Sequence, residues 1–223
     1  TRPIKHTWLI SMTSCRKVTM REQAPLNVDK QYDVAIVGGG VYGAVIANEC
    51  ARLGFSTVLV EKDDFCQSTS ANSLTIIHGG LRYLQHMDIR RMRRSINSRR
   101  YYQQVAGAHI DNVPFLTPLS GHAINGPLIM RIALLLNDLI GLDRNKGIAR
   151  TQHLPTGRIL SRKQLLEQLP GLNNMDINGA AQWYEAVMNN PCGVVDELLN
   201  SAAKHGAVLA KHTEAKGLTI ENG

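Results

Sequence analysis

Residues 31–61, QYDVAIVGGGVYGAVIANECARLGFSTVLVE, constrain the fold of this chain more than any other stretch. Tyr32 to Val37 is a short apolar, β-branched run. Gly38, Gly40 and Gly43 follow in the spacing G-x-G-x-x-G, and Gly43 opens an alanine-rich helical stretch that Gly54 ends. Thr57 to Val60 is a second apolar run, closed by Glu61. Strand, glycine turn, helix, strand and terminal acid together are the context in which this motif binds a dinucleotide. Gly38 lets the chain leave the strand sharply, Gly40 lets a pyrophosphate approach the backbone, and Gly43 lets the helix lie close to the sheet. The helix N-terminus faces the phosphates. Glu61 is placed to accept hydrogen bonds from a ribose diol, and its charge disfavours a 2′-phosphate. The plainer alternative is a βαβ unit that binds nothing.

At 223 residues the chain is short for a two-domain dinucleotide enzyme, and it stops at Glu221-Asn222-Gly223, a turn signal with no returning strand. It is expected to be a piece of a longer protein. The formal charge of +7 is concentrated in the first 21 residues and in 90–100. Four cysteines, Cys15, Cys50, Cys66 and Cys192, are scattered without metal or C-x-x-C spacing. That pattern fits a reducing compartment, no disulfide framework and no metal site. No apolar window is long enough to span a bilayer.

Up to Arg21 the chain carries five basic residues and no acid. It reads either as a transit peptide or, the favoured reading, as sequence upstream of a start at Met20. Past Glu61, Ser68, Thr69 and Ser70 can bind phosphate oxygens or cap the next helix. Ile76-Ile77 leads into His78-Gly79-Gly80-Leu81-Arg82-Tyr83, where paired glycines imply close approach of the backbone to a flat or bulky group. Arg82 suits a carboxylate or phosphate; a surface ion pair is its plainer reading. Residues 88–104 read as a basic helix, expected to be solvated or paired with acids outside this chain, rather than to bind nucleic acid. Pro114–Gly126 reads as short β-like pieces. Leu128–Leu142 is expected to be a buried cap helix, with membrane contact as the alternative. A loop follows over 143–157, then a short helix capped by Ser161, a strand over 179–188, a helix over 194–205 and a strand over 207–211 that rejoins the first sheet.

VGGGVYGAVIA together with TSANSLTIIHGGLRYLQH resembles the FAD-dependent glycerol-3-phosphate dehydrogenases, within the D-amino-acid-oxidase-like flavoproteins. The likeness runs from about Tyr32 to the end and is closest at the glycine loop and HGGLRYL. It implies an α/β Rossmann-like FAD-binding domain of glutathione-reductase type, interrupted by an α+β substrate or cap insertion and C-terminally truncated. The boundaries it implies are 32–110 and 193–223 for the FAD-binding part and 111–192 for the cap, with 1–31 an extension.

The cofactor implied is FAD rather than NAD. Its pyrophosphate would lie on Gly38, Gly39, Gly40, Val41, Tyr42 and Gly43, and its adenosine ribose on Glu61, with Lys62 beside it. Ser68, Thr69 and Ser70 would line the phosphate–ribitol path. His78, Gly79, Gly80 and Leu81 would pass beside the isoalloxazine, without covalent attachment through His78, and Ala215 would meet the adenine. Arg82 matches an arginine that meets an anionic substrate. The implied reaction is hydride transfer from a secondary alcohol to the flavin, with glycerol 3-phosphate the leading substrate and another hydroxy acid or an amine the alternative. A non-catalytic nucleotide-binding module is the competing class. The base is expected beyond Gly223. The electron acceptor (quinone, oxygen or protein) and the oligomer stay open. A cytoplasmic location, peripheral to the inner membrane at most, is expected. Two departures from the family pattern stand out: Thr75 where the family has lysine, and Glu185 followed by Asn189-Asn190 in place of an acidic stretch.

Overall fold

The computed structural model describes residues 26–27, 29–120, 126–173 and 176–219. The readings made for residues 1–25 and for Glu221–Gly223 lie outside these.

The opening unit forms as its pattern dictates. β1 (Val34–Val37) leads through the glycine turn into α1 (Val41–Arg52), which returns to β2 (Thr57–Val60). The helix begins at Val41, two residues before Gly43, because Gly40 already takes extended backbone as its cap. β1 and β2 pair in parallel, Val34 against Thr57 through Val37 against Val60. Late in the chain, α5 (Pro191–Lys204) delivers β7 (Val208–Ala210) to the other side of β2, again in parallel. The order is therefore β1-β2-β7. The strand read over 207–211 does rejoin the first sheet.

One core holds this unit. Ala44, Ala47 and Ala51 of α1 meet Val194, Val195, Leu198, Leu199 and Ala202 of α5 over Ile36, Leu59 and Leu209. Small residues on α1 let the two helices approach, and branched residues on α5 fill the space between them. Burying each of the larger aliphatic side chains contributes about 1.5–3 kcal/mol.

Between β2 and α5 the chain builds an antiparallel sheet. Its centre is β6 (Gly179–Met188), flanked by β4 (Ile110–Leu119) along its whole length and, on the other side, by β3 (Ile76–Ile77) and β5 (Arg158–Ser161) at opposite ends. The stretch read as short pieces from Pro114 is one ten-residue strand that starts at Ile110. Pro114 and Pro118 are tolerated because, among the described residues, β4 pairs only with β6, and an edge strand need not donate on its outer side. β5 was not foreseen. α4 (Arg162–Gln168) is capped by Ser161 as expected, and Gln164 completes a reciprocal capping box that the sequence reading did not name.

α2 (Ile89–Ala106) buries Met92, Ile96, Arg99, Gln103 and Ala106. Arg91, Arg93, Arg99 and Arg100 of this helix find acids within the chain, Arg91 on Asp88. Arg93 and Arg100 both hold Asp143, which pulls the Asp143 carboxyl well below the usual range, and Arg99 holds Glu185.

α3 (Pro127–Ile140) corrects the expectation of a buried helix. Only Leu134 is buried in it. That side packs with Met130 on Leu119, Ala181 and Trp183, while Leu128, Ile132, Leu135 and Leu139 are exposed. The helix is apolar on both sides, and among the described residues only one side is covered. No helix among them is long and apolar enough to cross a membrane.

Candidate functional site

The glycine loop is shaped by close contacts at the C-terminal end of the parallel sheet. Gly38 has φ +109°, a conformation L side chains rarely adopt, and its N–H donates to the Val60 carbonyl at 2.9 Å. Gly43 sits against Gly38, where any Cβ would run into the Gly38 carbonyl oxygen. The helix–strand approach expected of Gly43 is thus visible as a contact. Gly39 carries a constraint that the spacing rule does not mention. The Phe65 ring lies on it, and a Cβ there would enter the ring. The signal was present in the run of three glycines.

Glu61 is bound into this loop. Its Oε2 accepts from the Gly39 N–H at 2.7 Å and its Oε1 from the Asp63 N–H at 3.0 Å. Burial opposes its ionisation, but the N–H groups of Gly39, Asp63 and Lys62 outweigh that and hold the carboxyl below its ordinary range. The Glu61 backbone continues outward, with N–H to Ala210 and carbonyl from Thr213 at 2.8 Å. Ala215 follows two residues later and is exposed. Lys62 is exposed and lies 3.7 Å from Asp63.

In the serine–threonine cluster, Ser70 corrects the expectation of a cap on the next helix. Its Oγ accepts from the Val41 N–H at 2.9 Å, so it caps α1 from a distant loop and does not cap a following helix. The same Oγ lies 3.0 Å from where a Gly40 Cβ would stand. Ser68 and Thr69 are exposed beside it, as is Tyr42 at 82%.

The second cluster sits at the edge of the antiparallel sheet. Gly79 and Gly80 are buried, and His78 and Arg82 are exposed. The Gly79 N–H donates to Glu185 Oε2 at 2.6 Å, and that oxygen also accepts from Arg99 at 3.2 Å. Trp183 Nε1–H reaches Oε1 at 3.3 Å. The bulky group approached by Gly79 is therefore the Arg99 guanidinium, which occupies the place of its Cβ. Burial pulls the Arg99 pKa down, and Glu185 offsets this only in part. Gly80, at φ +91°, starts the 3₁₀ turn Leu81–His86 and lies against the Met92 backbone, while Leu81 packs on the α3 cluster. Arg82 makes no ion pair among the described residues. Arg99 was missed in the sequence, although it falls on the buried stripe of α2 with Met92, Ile96 and Gln103.

These residues fit FAD. The Tyr42 and Gly43 N–H groups have no intrahelical partners, the Val41 N–H is held by Ser70, and Gly38, Gly39 and Gly40 add no side chain of their own before them. The Glu61 carboxylate accepts from Gly39 and Asp63 and has lone-pair capacity left for a further donor such as a hydroxyl.

Comparison with known proteins agrees with this geometry. The family described as FAD dependent oxidoreductase (DAO) matches residues 33–223. An alpha-glycerophosphate oxidase of Streptococcus pneumoniae is 30% identical over 195 residues, which cover 86% of this chain and 31% of that protein. A glycerol-3-phosphate dehydrogenase of Synechocystis is 28% identical over 187 residues, 84% of this chain and 32% of that protein. The chain thus spans about a third of the length of these curated relatives. The solved glycerol-3-phosphate dehydrogenase of Bacillus halodurans, complexed with FAD, superposes with a TM-score of 0.58 at 21% identity, over 86% of this chain and 29% of that one. The last likeness speaks for the fold.

Proposed function

Because this chain belongs to the family of FAD-dependent oxidoreductases, we propose that it is the adenosine-diphosphate-binding part of an enzyme that oxidises glycerol 3-phosphate to dihydroxyacetone phosphate. The observation that carries the reading is the Glu61–Gly39 bond: a ribose acceptor fixed to the phosphate-binding turn, at the N-terminus of α1. The substrate assignment is supported by relatives at about 30% identity named for glycerophosphate oxidation.

We assign residues 32–110 and 193–223 to the nucleotide-binding part and 111–192 to the cap. Gly38 to Gly43 hold the pyrophosphate, with Ser70 sharing the Val41 N–H or yielding it. Glu61 orients the adenosine ribose, and Ala215 lies towards the adenine. Glu185 and Arg99 fix the Gly79-Gly80 turn, so that His78 to Leu81 present an immobile backbone to the isoalloxazine. Arg82, exposed next to that turn, attracts the phosphate of the substrate and orients its secondary alcohol. Bound FAD supplies the hydride acceptor.

The test is anaerobic titration of the FAD-loaded enzyme with glycerol 3-phosphate. Bleaching of the flavin absorbance is expected. Flavin that stays oxidised with glycerol 3-phosphate but bleaches with another hydroxy acid or an amine would overturn the substrate.

A further inference from the structure

Four cysteines are far apart in sequence, yet the fold brings two of them into contact. Cys192 Sγ lies 2.6 Å from Cys66 Sγ and 3.4 Å from the Cys66 carbonyl oxygen, across 126 positions of sequence. Neither sulfur has a part in the function proposed above.

Their surroundings differ in a useful way. Cys66 is 3% exposed, whereas Cys192 is partly accessible. Cys192 stands in the first turn of α5, after the Asn190 cap and Pro191. Cys66 belongs to the segment that crosses the glycine loop. Its N–H donates to the Gly39 carbonyl at 3.1 Å, its neighbour Phe65 covers Gly39, and Ser70 further along holds the Val41 N–H. One thiol is thus reachable and anchored on a helix. The other is shielded and attached to the nucleotide turn.

We propose that Cys66 and Cys192 are a thiol-modification site, at which a low-molecular-weight disulfide oxidises the pair to an internal disulfide that pins residues 65–70 over the glycine loop. In the first exchange the Cys192 thiolate attacks the small disulfide, forms a mixed disulfide and expels one small thiolate. In the second, Cys66 sulfur attacks Cys192 sulfur and expels the other. Two protein thiols lose two electrons, one small disulfide becomes two thiols, and the protein's thiol protons pass to the leaving thiolates. The pinned segment keeps Ser70 on the Val41 N–H, so a pyrophosphate loses that donor. The effect on FAD rests on the function proposed above, whereas the thiol chemistry does not.

The experiment treats the reduced 223-residue chain with oxidised glutathione, alkylates what remains, and maps linked peptides by mass. The expected product is two hydrogens lighter, joins Cys66 to Cys192, and binds FAD about tenfold more weakly than the reduced chain, the value of one hydrogen bond to a charged group. Cys66→Ser is expected to stop at a glutathione adduct on Cys192, and Cys192→Ser to give neither product. A stable glutathione adduct on Cys192 in the parent chain, a link to Cys50 instead, or an unreacted Cys192 would overturn the pair. Unchanged FAD affinity in the linked chain would overturn its control of the nucleotide turn. Failure of the reduced chain to take up FAD would instead count against the proposed function, with the linked peptide still deciding the thiol pair.

Discussion

Glu61 Oε2 accepts a 2.7 Å hydrogen bond from the Gly39 N–H, which ties the acid at the end of β2 to the turn that leaves β1. An acid in this place is read from sequence as a ribose acceptor. In this structure its carboxylate holds the glycine turn. The two roles are compatible, because a carboxylate oxygen accepts from two donors at once.

That bond makes the turn sensitive to acid. The folded pKa of Glu61 lies below its ordinary value of 4.5. Its contribution is therefore complete above that value and is lost as the pH falls through it towards the folded pKa. Thermal melts of the parent and of Glu61→Gln, followed from about pH 7 to about pH 3, are expected to differ at the upper end and converge at the lower. Curves that run parallel across the range would deny the carboxylate this role.

Gly43→Ala separates close packing from helix propensity. Alanine would stabilise an open helix position by about 1 kcal/mol, but here its methyl meets the Gly38 carbonyl oxygen. The expected result in urea unfolding is a net loss of about 1–3 kcal/mol, as for other overpacked sites.

Glu185→Ala removes the acceptor for Gly79, Arg99 and Trp183 together. The Arg99 and Glu185 side chains are only 7% and 5% exposed, so the substitution strands a buried guanidinium and is expected to cost about 3–5 kcal/mol in denaturant unfolding. The paired change Arg99→Met with Glu185→Leu is expected to cost much less, since no charge is left unpaired.

From the substrate role proposed for Arg82, Arg82→Ala is expected to act on function alone. Arg82 is exposed and without an ion pair among the described residues, so stability is expected to move by less than about 0.5 kcal/mol. FAD is expected to be retained and the KM for glycerol 3-phosphate to rise. Unchanged kinetics in the FAD-loaded enzyme would leave Arg82 without the substrate role.

The parallel unit was legible because its signals are local. A β-branched run, spaced glycines and an alanine face each determine structure within a few residues of themselves. The N-cap at Ser161 was legible for the same reason. What escaped the sequence depends on partners far along the chain. Pro114 and Pro118 look like breakers until β4 is known to lie at an edge. Arg99 looks like one more solvated arginine until Glu185 arrives from β6, although its helical register already marked it as inward. The exposed face of α3 has the composition of a core, and hydropathy alone cannot say that nothing among the described residues covers it. The Cys66–Cys192 contact exists only because α5 returns beside the loop after β2.

The central claim is that Gly38 to Glu61 form the phosphate and ribose half of an FAD site. Its most direct test is FAD uptake by the parent chain and by Gly40→Val, read by quenching of flavin fluorescence. Gly40 has φ −82°, which valine can adopt, and the nearest atom to its Cβ position is the Ser70 hydroxyl oxygen at 3.0 Å. The Ser70 hydroxyl must give way to the new side chain, so the variant is expected to fold with a somewhat lower melting temperature than the parent and to lose FAD binding. A folded Gly40→Val chain that holds FAD as tightly as the parent would contradict the placement of the pyrophosphate on this loop.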